Sequence, residues 1–209
     1  MQEAHLLGIK YSCSVWDMSS ALGMVNVVNP GMIKIPSALA TNFEVLQYLA
    51  DCYEGDIHIS TGMTTSKELA EIINFIYRNK IASRTVLYHC TSGYPIDFED
   101  ACLLNIEEIK GRDASIYADF RFDRKGLKGF GYSGHHKGIA IDIAAYTLGA
   151  EYIERHFTLD RTWKGTDHAA SLEPQGLEKL KRNLMATWKS LSYRPEGLLD
   201  IEKPQAKKL

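Results

Sequence analysis

Short apolar runs alternate along this chain with longer amphipathic stretches, and this alternation restricts the possible folds more than any other feature. The runs are rich in β-branched and aromatic residues and lack strict polar–apolar alternation, as expected for strands that are covered on both faces. They lie at residues 9–15, 32–35, 57–60, 86–90, 129–133 and 152–157, with 116–120 as an alternative to 129–133.

The stretches between the runs carry helix signals. Asn42 is a favourable N-cap for a helix at 43–52. Thr65, followed three residues later by Glu68, has the form of a capping box that opens a helix to about residue 78. Further helices are predicted at 97–110, at 138–148 and from Pro174 onward.

Repeated β–α units of this kind require a parallel sheet with right-handed crossovers. We therefore predict an α/β protein and, more specifically, a TIM (β/α) barrel. Such a barrel has eight strands and typically about 250 residues, whereas this chain has 209 residues. With about six of the eight strands, the barrel is expected to be incomplete. Residues 1–194 are predicted to form its core and the polar residues 195–209 a linker-like tail.

Composition narrows the class of protein and its surroundings. The chain is 45% hydrophobic and 24% charged, with a formal net charge of -2, so no basic excess points to a nucleic-acid partner. The four cysteines form no Cys-x-x-Cys pair, which is typical of a reducing compartment. We see neither a signal peptide nor a membrane-length apolar run. A cytoplasmic location, without a membrane partner, is therefore expected.

Two histidines that follow neighbouring strands are the strongest candidates for chemistry. His135 and His156 are 21 residues apart, one β–α unit, and strand ends of this kind can bring side chains together. Neutral imidazole is the commonest ligand of divalent transition metals. Spacing alone leaves open whether the pair binds a metal or whether each ring simply bonds a backbone carbonyl. His136 also competes with His135, because side chains alternate along a strand.

Lysine and hydroxyl side chains stand at the ends of other predicted strands. Together with loop N–H groups, they are what a phosphate or carboxylate needs, although Ser and Thr also recur there as turn and cap residues. No glycine-rich P-loop supports nucleotide triphosphate binding. The residues are Ser14, Lys34, Ser37 and Ser60.

Six segments, in order, resemble the sialic acid synthase family, the phosphoenolpyruvate-dependent N-acetylneuraminate synthases. They cover nearly the whole chain. The pairing of Tyr-Ser-x-His, ending at His135, with Arg-His-Phe-Thr, around His156, is specific to that family and favours His135 over His136. The matching segments begin at Gly8, Lys34, Ser60, His89, Gly131 and Glu154.

The resemblance implies condensation of phosphoenolpyruvate with an N-acyl amino sugar such as N-acetylmannosamine, giving a sialic or other nonulosonic acid plus phosphate. By position, His135 and His156 match the ligands of a divalent metal, Mn²⁺ or else Mg²⁺ or Co²⁺, which polarises the sugar aldehyde. With Lys34 they form the implied catalytic set. The residues matching phosphoenolpyruvate contacts are Ser14, Lys34, Ser37, Ser60 and Ser133. Those matching sugar contacts are Ser92, Tyr94 and Asp167.

The chain also departs from the family pattern. The family barrel begins with two strands that supply a Glu and a Lys, and a C-terminal antifreeze-like domain follows the barrel; neither is found in these 209 residues. Leu39 stands where some members carry a Glu, and Gly134 replaces the usual Asp before the metal histidine. Two hypotheses follow. The chain is a synthase, working as a homodimer or with a partner chain that completes the barrel. Alternatively, it is a catalytically silent fragment or subunit that needs such a partner.

Overall fold

The computed structural model describes residues 2–109 and 126–208. Its centre is one parallel sheet in which each strand pairs with the next along the chain. The strands are β1 (Met32–Ile35), β2 (Asp56–Ser60), β3 (Thr85–Cys90), β4 (Gly129–Gly134) and β5 (Tyr152–Arg155). The helices are α1 (Gln2–Leu6), α2 (Met18–Gly23), α3 (Phe43–Cys52), α4 (Ser66–Arg78), α5 (Leu104–Ile109), α6 (Ala140–Thr147), α7 (Pro174–Ser190) and α8 (Lys203–Ala206).

The sheet curls into a half-barrel, and the predicted α/β barrel class is confirmed. Its curvature brings a side chain of β1 against one of β5, since Lys34 Nζ lies 2.7 Å from Glu154 Oε2. Such a contact spans the three strands in between, which a flat sheet would not allow.

The first predicted strand, at 9–15, forms only a short parallel bridge. Val15 N donates to Lys34 O at 3.0 Å and Lys34 N donates to Cys13 O at 3.3 Å. Earlier in this stretch Ile9 is 59% exposed, so no packing holds it in the sheet. In place of six strands, the described residues thus contain five, and the 9–15 stretch contributes only the bridge between Ser14 and Lys34. The alternative strand at 116–120 lies outside the described residues.

Two of the predicted helix starts have the expected caps. Asn42 Oδ1 accepts a hydrogen bond from Val45 N at 3.1 Å. Thr65 and Glu68 form the reciprocal capping box, with Thr65 N donating to the Glu68 carboxylate at 2.8 Å. Both helices therefore begin where their side chains satisfy N–H groups that the first turn leaves free.

The prediction of one helix at 97–110 was wrong. A 3₁₀ turn at Glu99–Ala101 is followed by Cys102, whose φ of 44° is left-handed. This conformation ends the helical path, and α5 begins only at Leu104. At the other end of the chain, the tail predicted at 195–209 contains the short helix α8, and its boundary stays a prediction. Within the described ranges, no helix is long and apolar enough to cross a membrane.

The two faces of the sheet differ in chemistry. On the outer face, Ile33, Ile57 and Leu87 are almost fully buried and pack in one cluster with apolar residues of α3 and α4. On the inner face, most of the residues in between are polar or aromatic, although Met32 and Val86 are aliphatic. Because successive side chains of a strand point to opposite faces, burial of one set directs the other toward the concave side. The inner set includes Lys34, His58, Ser60, Tyr88, Ser133 and Glu154.

Gly131 should be intolerant of a side chain. A Cβ there would lie 2.4 Å from the Tyr88 ring and 3.0 Å from Tyr152 O. We expect Gly131→Ala to lower the free energy of unfolding by about 1–3 kcal/mol, as overpacking does, measured by urea denaturation with circular dichroism. Gly23→Ala is the control: that site is helical and open, so about 0.5–1 kcal/mol should be gained. Unchanged stability of Gly131→Ala would contradict the close packing described here.

Candidate active site

The predicted site residues lie at the carboxyl ends of the strands, on the concave face. Lys34 comes from β1, Ser60 from β2 and Ser133 from β4. His135 and His156 lie just past the ends of β4 and β5. Since Cys90, Ser133 and Glu154 are paired in register across three strands, these ends share one level of the half-barrel. The fold therefore brings together groups that are far apart in sequence.

An ion pair between Lys34 and Glu154 crosses this face. The Lys34 side chain is 17% exposed and its ammonium also lies 5.1 Å from the centre of the Tyr88 ring. Burial opposes ionisation of Glu154, but the Lys34 ammonium and the Ser133 hydroxyl outweigh it and lower the pKa of the carboxyl below its usual range. At neutral pH the Glu154 carboxyl is thus ionised, and the Lys34 ammonium lies against it at the centre of the site.

His135 and His156 lie side by side, with ring centroids 5.1 Å apart. His135 Nδ1 bonds the Thr91 carbonyl at 2.8 Å, which assigns the proton to Nδ1 and leaves the Nε2 lone pair available. Burial lowers the pKa of both imidazoles, and for His156 the proximity of His135 lowers it further. Both rings are therefore neutral near pH 7, the form that binds a metal.

His136 points to the opposite face. It is completely buried, and its Nε2 lies 3.1 Å from Arg155 Nη1 and 3.3 Å from Asp142 Oδ2. The competition between the adjacent histidines is thereby resolved: His135 shares the inner face with Ser133, and His136 is part of a polar cluster behind the sheet.

Two of the three predicted sugar contacts adjoin the histidine pair. The Tyr94 ring lies 4.2 Å from that of His135 and 5.5 Å from that of His156, centre to centre. Asp167 Oδ2 lies 3.5 Å from His156 Nδ1. An aromatic face and a carboxylate beside two imidazoles can bind a polyhydroxylated molecule through stacking and hydrogen bonds.

Ser92, the third predicted sugar contact, lies close to the Tyr94 hydroxyl and also to Gly62 and Ser37. A Cβ on Gly62 would fall 2.3 Å from Ser92 Oγ and 2.8 Å from Ser37 Oγ, and Gly62 N donates to Ser37 Oγ at 3.0 Å. Ser60 is 2% exposed, and its hydroxyl has no hydrogen-bond partner among the described residues. The hydroxyls of Ser37 and Ser92 thus cluster where Gly62 leaves room for them.

A cavity of about 570 Å³ opens on the concave face. Ser14, which bridges to Lys34, lines it together with His58, whose Nδ1 lies 2.8 Å from the Tyr88 hydroxyl. A small phosphorylated acid fits in a volume of this size. His135 and His156 are not among the lining residues, so the cavity belongs to the lysine end of the site. The residues lining it include Ser14, Lys34, His58, Tyr88, Tyr152 and Glu154.

The donor set at the histidine end is compatible with a metal ion. Two neutral imidazoles supply two nitrogen ligands, and catalytic ions keep further positions for water and substrate. In the part of the chain that the structure describes, no group of three or more His, Cys, Asp or Glu side chains is close enough to hold an ion.

Sequence reasoning missed Glu154 and His58 as parts of this site. A signal was available in each case. Glu154 lies two residues before His156, and His58 lies two residues before Ser60. Residues two apart on a strand share a face. Each predicted inner-face residue therefore indicates that the residue two positions earlier also faces inward. What the sequence could not supply was the curvature that brings Lys34 to Glu154.

Comparison with known proteins finds relatives along nearly the whole chain. The N-acetylneuraminate-9-phosphate synthase of Mus musculus is 34% identical over 199 residues, covering 95% of this chain and 51% of the relative. The N,N'-diacetyllegionaminic acid synthase of Campylobacter jejuni is 34% identical over 202 residues, covering 96% and 55%. This chain thus spans about half the length of these curated relatives.

A solved structure shows the same fold. The crystal structure of N-acetylneuraminic acid (sialic acid) synthetase from Leptospira borgpetersenii, in complex with citrate, matches with a TM-score of 0.76 at 28% identity. The match covers 99% of this chain and 67% of the other. Residues 1–195 also match the model of the NeuB family. The resemblance drawn from the sequence motifs is confirmed, and the chain belongs to the NeuB family.

Proposed function

We propose that this chain supplies the catalytic half-barrel of a nonulosonic acid synthase, which condenses phosphoenolpyruvate with an N-acyl amino sugar and releases phosphate. The observation that carries the proposal is the convergence of Lys34 with the His135–His156 pair on one concave face. A cation for an anionic substrate and two neutral imidazoles lie within one site, in a family whose named relatives are synthases of such acids.

The lysine end is proposed to bind phosphoenolpyruvate. Lys34 is a half-buried cation of this face, and a charged hydrogen bond from it would hold a phosphate or carboxylate oxygen. Neighbouring hydroxyls would complete the anion site, and the unpartnered hydroxyl of Ser60 supports this assignment. The proposed hydroxyl contacts are Ser14, Ser37, Ser60, Ser92 and Ser133. Ser92 is included here because it lies beside Ser37 and Gly62.

The histidine end is proposed to bind the sugar aldehyde. His135 and His156 would hold a divalent ion, Mn²⁺ or else Mg²⁺ or Co²⁺, and such an ion supplies Lewis-acid polarisation of the aldehyde. The hydrogen bond from His135 Nδ1 to Thr91 keeps the ring oriented with Nε2 toward the site. Tyr94 and Asp167 would orient the sugar. We propose N-acetylmannosamine as the substrate. Other N-acyl amino sugars are the alternatives, since some relatives are named as synthases of other acids.

A second hypothesis is that the chain is silent alone and works with a partner chain, or as a homodimer. β5 pairs only with β4 among the described residues, so one side of it is an open edge, which proteins usually cover. Beside it, α7 exposes Leu177 at 45%, Met185 at 48% and Trp188 at 60%. We place the assembly in the cytoplasm; all four cysteines are free thiols, as suits a reducing compartment.

Loss of either histidine should abolish turnover. Phosphate release from phosphoenolpyruvate, with Mn²⁺ and N-acetylmannosamine, is expected to fall about 100-fold or more in His135→Ala and His156→Ala, because several kcal/mol of charge stabilisation are lost. Mn²⁺ binding should weaken in parallel. His89→Gln is the control, since His89 bonds the Ala101 carbonyl away from the site. If a completed assembly releases no phosphate and His135→Ala behaves like the parent, the proposal fails.

Lys34 should dominate binding of phosphoenolpyruvate. Lys34→Met removes a charged hydrogen bond worth about 1.5–3 kcal/mol, so the Kd measured by calorimetry is expected to rise about 10- to 100-fold. Lys203→Met is the matched control, because Lys203 also pairs with a carboxylate, that of Asp200 beside α8, and does not line the cavity. Equal losses in the two variants would show that general electrostatics, rather than a site at Lys34, governs binding.

Association should accompany activity. Light scattering of the purified chain after size exclusion is expected to give a mass above that of one chain, since an open edge and an apolar helix face favour pairing. Addition of a polypeptide that supplies further barrel strands should increase phosphate release. A monomer that turns over substrate alone would contradict the need for a partner.

A further inference from the structure

Arg155 leaves the end of β5 toward the outer face, behind the candidate active site. Its side chain is 2% exposed. Nη2 donates to the backbone carbonyls of His136 at 2.7 Å and Ala170 at 3.1 Å, and Nη1 donates to that of Gly138 at 2.9 Å. The Arg155 guanidinium thus links three segments: the end of β5, the residues after β4, and the turn before α7.

The charge of Arg155 is balanced by Asp142 of α6. Arg155 Nη1 lies 2.5 Å from Asp142 Oδ2, and Asp142 is fully buried. Burying two charges is expensive, and a buried pair is weak evidence of a gain in stability. Arg155 Nε and Asp142 Oδ1 also have no hydrogen-bond partner in the described ranges. An arrangement with these costs points to a role in geometry rather than in stability alone.

Each segment that Arg155 holds carries a residue of the site. The His136 carbonyl belongs to the residue after His135, and Arg155 itself precedes His156. The Ala170 carbonyl belongs to the 3₁₀ turn that follows Asp167, where Ala170 N donates to Asp167 O at 3.1 Å. The three inner-face groups are thus fixed relative to one another through one side chain on the other face.

We propose that Arg155 is a positioning residue that sets the spacing of His135, His156 and Asp167. Only arginine can do this from one position, because its planar fork offers five donors in fixed directions, whereas a lysine has a single nitrogen. The inference rests on the proposed function insofar as those three residues bind the ion and the sugar. The link between the backbone segments is observed directly and is independent of that function.

Arg155→Lys tests the proposal, because it keeps a charge beside Asp142 but cannot reach both distant carbonyls. Hydrogen exchange is measured on the full chain by mass spectrometry. We expect amides at 135–138 and 168–172 to exchange about tenfold faster or more, while β1–β3 stay unchanged, as local opening predicts. Electron paramagnetic resonance titration should show Mn²⁺ binding about 10- to 100-fold weaker, the usual loss when a group supporting the ligands is removed.

Ile153→Ala is the matched control. Ile153 lies on the same face of β5, two residues earlier, and packs in the second apolar cluster. This variant should lose stability while retaining slow exchange at both segments and unchanged Mn²⁺ affinity. The same local pattern in Ile153→Ala, or parental exchange in Arg155→Lys, would overturn the proposal, since Arg155 would then act only through stability.

Failure of the variant to fold and failure of the parent chain to bind Mn²⁺ can each be distinguished from failure of the proposal. If Arg155→Lys does not fold, Asp142→Asn replaces it, because the isosteric amide still accepts from Nη1 while the ion pair is lost. In Asp142→Asn, exchange at both segments is expected to be faster than in the parent, by a smaller factor than in Arg155→Lys. Unchanged exchange would overturn the proposal. If the parent chain binds no Mn²⁺, the metal part of the proposed function fails, and hydrogen exchange alone still decides the role of Arg155.

Discussion

The in-register pairing of parallel strands is the constraint on which this structure depends. Pairing fixes which residues share a level, and the two-residue repeat of a strand fixes which of them share a face. Because isoleucine and leucine side chains cover the outer face beneath α3 and α4, the residues between them are forced inward. Lys34, Ser133 and Glu154 face one another for this reason, without any loop having to place them.

Much of this arrangement could be predicted from the sequence. The β–α order, the caps at Asn42 and Thr65, and the parallel sheet depend on local signals, because propensity and apolar spacing act over a few residues. The failures have non-local causes. Residues 9–15 have strand composition, but only their last three residues pair with β1. A left-handed Cys102 interrupts the helix expected at 97–110. Pairing partners and single backbone angles leave little trace in composition.

In the candidate site, too, local features could be predicted from the sequence and non-local contacts could not. Strand ends and motifs identified Lys34, His135 and His156, whereas the partners that control their charge were found only in three dimensions. The Thr91 carbonyl assigns the His135 tautomer, and Glu154 balances Lys34 from the far edge of the sheet. Neither contact follows from spacing, since each depends on how strongly the sheet curves. Sequence therefore predicts which groups are present, and curvature decides which of them interact.

Glu154 stands between the two ends of the site and gives it a thermodynamic property of its own. Its carboxylate is stabilised by the Lys34 ammonium and the Ser133 hydroxyl, and it lies two residues before His156. An anion that attracts the Lys34 ammonium would weaken its ion pair with Glu154. The Glu154 carboxylate would then be less neutralised, and it would attract a positive charge near the histidines more strongly. In the proposed site, binding at one end would therefore strengthen binding of the opposite charge at the other, and the effect would be reciprocal by linkage. Such a site would favour two ligands of opposite charge bound together over either one alone.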